Sequence, residues 1–281
     1  MSEEKPKTID EYKRWLKAEH KEEIADRSAT RGRTIGEMPL ILSFDTATLG
    51  GSVCLARGET MLASVMGDPN ISHSNTLLRD INQVLKTAGV TLSDIDLFAA
   101  AAGPGSFTGL RIGLATVMAF SMTLDRACIG IPTLHAIAHS CGSSNVVVAA
   151  QPAGRGEVFA QLLSVSSDGV VTELDAPSHV SPKAMIEKYG ALTNLKWAGE
   201  GARLYQDRIG DAAHERTIEF RDEPLNSAGD GRGWVVAGRE ANLAKEIAAL
   251  ALQRLECGAA GEPLRAIYVR PSDAELKEQC Q

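Results

Sequence analysis

Gly103-Pro104-Gly105-Ser106-Phe107-Thr108-Gly109-Leu110-Arg111-Ile112-Gly113 is the stretch whose reading decides the fold. A continuous alanine-rich run, Ile95 to Ala102, precedes it and reads as a buried strand. A second apolar stretch, Leu110 to Leu124, follows and is long enough for a helix. The motif is therefore a strand-to-helix turn. Its glycines adopt backbone shapes that other residues resist, and Ser106 or Thr108 can cap the helix start, so the turn suits an anion. The structural alternative is that Gly103 and Gly105 only make the turn. Gly109 and Gly113, four apart on one helix face, would then let another helix or strand approach closely. No lysine stands at P-loop spacing, and Ser106 has Pro104 and Thr108 where a nucleophile elbow needs glycines.

Ahead of the motif, Leu40 to Phe44, Ser52 to Ala56 and Thr60 to Met66 read as a three-strand meander. The turn Asp45-Thr46-Ala47-Thr48-Leu49-Gly50-Gly51 places a carboxylate and hydroxyls at the sheet end. There they either meet a phosphate and its metal or simply cap the turn. Ser72 to Ala88 is predicted to be an amphipathic helix with Leu77, Leu78, Ile81, Val84, Leu85 and Ala88 at helical spacing. His73 at its start reads as a capping or surface histidine.

Behind the motif, Ala127 to Ile131 is a predicted strand and Pro132 to His139 a short helix, with a domain boundary at Cys141 to Ser144. Strands are expected at Asn145 to Ala150, Glu157 to Val165, Val170 to Leu174 and Leu195 to Ala198. Helices are expected at Pro182 to Tyr189, Ala202 to Ile209 and Trp234 to Glu256, a loop at Arg221 to Gly233, and a closing strand at Ile267 to Arg270. Strand–turn–strand units open both halves, which points to an internal duplication with a cleft between the halves.

Residues 1–38 differ from the rest: they are dense in mixed charge and poor in aliphatic side chains. Thr8 and Glu11 form a capping-box pattern, and a helix over Thr8 to Arg27 would carry Ile9, Tyr12, Trp15 and Leu16 on one side. The expected division is this arm, a first subdomain over 39–143, a second over 144–233, a C-terminal helix and strand over 234–273 packing back on the first, and a tail over 274–281.

The chain has 281 residues, 44% hydrophobic and 23% charged, which suffices for a large buried core. A net charge of −7 argues against a protein that grips nucleic acid unaided. Five scattered cysteines without a C-x-x-C pair fit free thiols in a reducing compartment. No run is expected to span a membrane, and the expected location is the cytoplasm.

Taken together, Ile41 to Thr48, Ser52 to Leu55, His73 ahead of Leu77-Leu78, the glycine motif, Gly156-Glu157-Val158-Phe159 and Tyr268-Val269-Arg270-Pro271 resemble the TsaB family, formerly YeaZ. The resemblance runs from about Leu40 to Asp273 and leaves the charged arm outside. It implies an α/β fold: a duplicated actin-like, sugar-kinase-like architecture of two subdomains with mixed sheets flanked by helices. It also implies a non-catalytic partner of the transferase TsaD in threonylcarbamoylation of the tRNA adenosine beside the anticodon. The metal and its H-x-x-x-H pair are expected on TsaD and not on this chain.

The expected partner interface is the pair of helices Ser72 to Ala88 and Leu110 to Leu124, through Leu77, Leu78, Ile81, Val84 and Leu85 with Gly109 and Gly113. The expected nucleotide or anion contacts are Asp45, Thr46, Gly105, Ser106, Thr108 and Arg111, with ATP or ADP at the junction with TsaD. TsaE, tRNA held through the complex, and a homodimer when the partner is missing complete the expected associations. Relatives usually show Asp-Ala-Arg before Gly-Glu-Val, whereas this chain reads Pro152-Ala153-Gly154-Arg155, so a second phosphate-gripping turn is not expected. Phosphoryl transfer needs charge stabilisation from both sides of a cleft. The alternative function is an independent ATPase or small-molecule kinase using Asp45, Thr46 and the Gly103 to Gly109 loop.

Overall fold

The strand Leu40–Asp45 (β1) is buried at all six positions, as a strand covered on both faces must be. This computed structural model describes residues 38–68, 73–223, 232–238, 242–258 and 264–269. β1 pairs antiparallel with Ser52–Arg57 (β2), which pairs antiparallel with Thr60–Met66 (β3). On its other side β1 runs parallel to Leu97–Gly103 (β4), and β4 runs parallel to Ala127–Pro132 (β5). The spatial order is β3-β2-β1-β4-β5.

The second half repeats this plan. Ser144–Gly154 (β6), Glu157–Val165 (β7) and Val171–Glu173 (β8) form an antiparallel meander, with Ser178–Val180 (β9) also pairing β7. Leu195–Ala198 (β10) runs parallel to β6, and Trp234–Ala237 (β12) lies between β10 and Phe220–Glu223 (β11). The order β8-β7-β6-β10 matches β3-β2-β1-β4 strand for strand, with β12 in the fifth place and β11 added at the edge. The duplication is thus present in the pairing itself, and the chain has a duplicated α/β fold.

Helices complete five layers. His73–Ala88 (α1) and Phe107–Leu124 (α2) cover the outer face of the first sheet, packing on Phe44, Val53, Leu55 and Phe98. Thr133–His139 (α3) and Leu243–Glu256 (α7) fill the space between the sheets, among Ile41, Ala99, Ile131, Val147 and Leu163. Pro182–Tyr189 (α4), Glu200–Leu204 (α5) and Gln206–Glu215 (α6) cover the outer face of the second sheet around Trp197 and Trp234. Ser43 Oγ donates to Ala244 O (2.7 Å) and Ala244 N–H donates to Ser52 Oγ (2.9 Å), which pins α7 to the first sheet.

Several sequence expectations need correction. Trp234 to Glu256 is not one helix: Trp-Val-Val-Ala is a fully buried strand, and the helix begins at Leu243. A short apolar run does not by itself distinguish buried strand from helix. The expected loop from Arg221 contains most of β11, a polar edge strand. The helix expected over Ala202 to Ile209 breaks at Tyr205. No strand forms over 264–269, where Ile267 N–H donates to Ala102 O (2.7 Å). Against the expectation of no span-length run, α2 has 18 residues at mean hydropathy 1.4, long and apolar enough by composition, although one side packs on the sheet. The helix expected over Thr8 to Arg27 and the tail over 274–281 lie outside the described residues.

Candidate functional site

The strand-to-helix turn is filled by the chain's own β1–β2 turn. Ser106 N–H donates to Ala47 O (2.8 Å), and Gly109 N–H donates to Ser106 Oγ (3.2 Å) as the cap of α2. A Cβ at Gly109 would lie 1.8 Å from Thr46 O, at Gly113 2.3 Å from Thr46 Oγ1, and at Gly105 2.5 Å from Ala47 O. The glycine row is therefore a notch that seats Thr46 and Ala47. Gly109 and Gly113, expected at a partner interface, are buried inside the first half.

Asp45 is buried and acts on its own turn. Its Oδ1 accepts from Ala47 N–H (2.8 Å) and Thr48 N–H (3.3 Å), and its Oδ2 accepts from the Thr48 hydroxyl. Thr46 is also buried, and its Oγ1 finds no hydrogen-bond partner. Ser106, Thr108 and Arg111 remain exposed at the start of α2, with Gly105 half-buried. The Arg111 guanidinium lies 3.8 Å above the Phe107 ring, whose centroid is 5.3 Å from that of Tyr268. The described residues thus bring Asp45 and Thr46 to the glycine motif as turn supports, while the Arg111 guanidinium stacks on the Phe107 ring.

The apolar stripe of α1 faces inward. Leu77, Ile81, Val84 and Leu85 are buried against the first sheet, and of the five α1 residues expected at the interface only Leu78 faces out, 66% exposed. Beside it, α2 turns Met118 (46% exposed) and Met122 (81%) outward with Ala115 and Ala119, while β3 exposes Met61, Leu62 and Met66 at the edge of the first sheet. The sequence reading put the helix Leu110 to Leu124 at the partner interface without singling out these four α2 residues. The available signal was that α2 is apolar all round, which a helix with only one covered side does not need.

In the second half, Gly199 and Gly201 repeat the notch, with Cβ positions 2.5 Å from Ala150 O and 2.9 Å from Ala150 C. Pro152, which stands where the resemblance led a carboxylate to be expected, pairs with Val158 in the β6–β7 ladder just ahead of a register shift between Pro152 and Gly154.

The expectation that no H-x-x-x-H pair exists is wrong: His135 and His139 stand at that spacing on α3. The i,i+4 offset puts them on one helix face, as a two-histidine metal site requires. Each instead meets its own carboxylate, His135 Nε2 with Glu173 Oε1 at 2.9 Å and His139 Nδ1 with Glu246 Oε2 at 2.5 Å. Burial holds the His135 imidazole below the usual histidine range, with Glu173 opposing and Arg254 reinforcing that shift. No three His, Cys, Asp or Glu side chains converge on a metal position among the described residues. The pair therefore does not fit a metal site and serves to tie α3 to β8 and α7.

Residues 69–260 match the profile of the family described as TsaD, tRNA N6-adenosine threonylcarbamoyltransferase. The tRNA threonylcarbamoyladenosine biosynthesis protein TsaB of Escherichia coli K12 is 30% identical over 172 residues, 59% of this chain and 74% of that protein. TsaB of Haemophilus influenzae is 32% identical over 123 residues, 42% of this chain and 51% of that one. Among solved structures, YeaZ from Pseudomonas aeruginosa superposes with a TM-score of 0.63 at 24% identity, over 82% of this chain and all of that one.

Proposed function

Because this chain belongs to the TsaB (YeaZ) family of tRNA threonylcarbamoyladenosine biosynthesis proteins, we propose that it is a non-catalytic subunit that seats a TsaD-type transferase on the outer face of α2. The observation that carries this is the exposed row Ala115, Met118, Ala119 and Met122 with Leu78 alongside. Small residues let a second helix approach, and flexible thioethers fill the gaps between its side chains. An exposed apolar patch on a helix that could have been polar marks an interaction surface.

The closed glycine notch supports the non-catalytic half of the proposal. A nucleotide-dependent enzyme of this fold needs its turn carboxylate and the helix start directed at phosphate. Here Asp45 supports the β1–β2 turn, and Ala47 O occupies the Ser106 N–H. Nucleotide, if it enters the complex, then sits at the junction with the partner, where Thr108 and Arg111 are exposed. In the absence of the partner the same face pairs two copies of this chain, and TsaE and tRNA join through the complex in the cytoplasm.

Size-exclusion chromatography with light scattering tests the proposal, on this chain alone and mixed with a TsaD-type subunit, with and without ATP. The expected result is a one-to-one complex that replaces any homodimer, and no ATP turnover by the isolated chain. Failure to associate, together with ATP hydrolysis abolished by Asp45→Ala, would replace it with an independent ATPase.

A further inference from the structure

Thr108, Arg111, Ala115, Met118 and Met122 are all exposed on α2 and follow one another at intervals of three, four, three and four residues. That is the spacing of a seam into which one further helix packs. Arg111 is the single charge in it. We propose that Arg111 keys the partner's helix into this seam by receiving an Asp or Glu carboxylate from it. The inference rests on the reading of the α2 face as the partner's seat, and it names the residue that sets the register there.

Arg111 is prepared for such a contact. Its guanidinium lies 3.8 Å above the ring of Phe107, one turn earlier on the helix, and that ring is 5.3 Å from the Tyr268 ring. Stacking holds one flat side of the guanidinium and leaves the N–H fork at its edge open, the geometry that takes a carboxylate in two parallel hydrogen bonds. Among the described residues no carboxylate pairs with it, and α2 itself contains no Asp or Glu. A helix laid over the seam takes water from the guanidinium, and a charge so covered is costly unless an opposite charge meets it. A neutral helix is disfavoured at this position, whereas a carboxylate fixes how the two helices align.

The surroundings carry the same sign. The whole chain has a net charge of −7, yet α1 and α2 hold Arg79, Lys86 and Arg111 against one carboxylate, Asp80. Asp80 is buried and already engaged by Arg79 at 3.0 Å. The seat is thus locally basic and suits an acidic helix. A second copy brings the same basic face, and its nearest acid, Asp125, stands past the helix end, so self-pairing is the weaker contact that the partner replaces. A phosphate would satisfy Arg111 as a charge but has no use for the apolar row that starts one turn on at Ala115. Met118 is seven residues from Arg111, about 10 Å along the helix, so the carboxylate stands about one heptad from the partner side chain that meets Met118. A nucleotide at the same junction has the Thr108 hydroxyl, nearer the helix start, and leaves the guanidinium to the carboxylate.

The test is titration of a TsaD-type subunit with the full chain and with Arg111→Gln, without nucleotide, at about 50 and about 300 mM salt. Arg111→Gln should weaken binding about tenfold at the lower salt and flatten the salt dependence, with a greater loss for Arg111→Glu. Lys86→Gln removes the same charge outside the seam and should weaken binding by no more than about twofold. All these positions are exposed, so melting temperatures should stay within about 2 °C of the parent. In Arg111→Lys, carbodiimide should couple the introduced amine to an Asp or Glu of the partner, read by peptide mass spectrometry. Equal losses for Lys86→Gln and Arg111→Gln, or no coupling at position 111, would overturn the proposal. So would a loss seen only with ATP or tRNA present, which gives the guanidinium to a phosphate, or an equal loss of self-association, which gives it to Asp125 of a second copy. If Met122→Glu weakens the complex and Arg111→Gln does not, the seat stands and the key falls; if neither does, the seat itself lies elsewhere.

Discussion

Replacing Gly109 or Gly113 by alanine separates a notch that holds the chain together from a notch that receives a partner. At Gly109 the new Cβ would stand 1.8 Å from the Thr46 carbonyl oxygen, which cannot rotate away because it is backbone. At Gly113 it would stand 2.3 Å from Thr46 Oγ1, which can move with its side chain. Overpacking costs about 1–3 kcal/mol and more where backbone must shift, while alanine gains about 1 kcal/mol over glycine in a helix. The net loss is about 2 kcal/mol or more for Gly109→Ala and about 0–2 kcal/mol for Gly113→Ala. At about 2–4 °C per kcal/mol, Gly109→Ala should lower the melting temperature by about 4–8 °C. Thr46→Ala removes a buried hydroxyl that makes no hydrogen bond and should rescue Gly113→Ala but not Gly109→Ala. Calorimetry of the three single and two paired variants reads this directly. Two glycine variants as stable as the parent, or equal rescue of both, would refute the notch.

Three further outcomes follow from the buried groups. Burial pushes the thiols of Cys54 and Cys141 up to about 12 and about 11, so iodoacetamide at pH 8 should modify exposed Cys257 well ahead of both in peptide mass spectra. Because those two thiols hold their protons more tightly when folded, the stability they contribute is lost as the pH rises past the ordinary thiol value near 9. His135 has the opposite sign: its folded value lies below 6.5, so the unfolded chain takes up the proton first and stability falls as the pH drops from about 6.5. Urea midpoints at pH 7.5 and 5.5 should diverge less for His135→Asn than for the parent.

Much of the first half was legible because local signals and tertiary structure agree there. The glycine motif marked the β4–α2 turn, and alternation with turn residues marked β1 to β3. What the sequence left open was direction. The amphipathic stripe of α1 is conspicuous, but its apolar side is the one that the sheet covers, as for any helix on a core. The outward row of α2 is hidden among apolar neighbours and emerges only when Gly109, Leu110, Gly113, Leu114 and Val117 are seen to face in. Asp45 could equally have served phosphate or its own turn until the N–H groups of Ala47 and Thr48 were located. In the second half, β11 escaped because Phe-Arg-Asp-Glu is polar like the loop beyond it, and β12 because its apolar run was read as continuous with the helix that follows. His135 and His139 show the reverse case: their spacing is plain in the chain, while their pairing with Glu173 and Glu246 depends on segments far away in sequence.

The central claim, that the outer face of α2 is the partner's seat, is tested most directly by titrating a TsaD-type subunit with the parent chain and with Met122→Glu. The side chain of Met122 is 81% exposed, so the substitution should leave the melting temperature within about 1 °C of the parent. A carboxylate buried without a partner at a helix contact should weaken the complex at least about tenfold. An unchanged dissociation constant at unchanged stability would contradict the account and move the interface off α2.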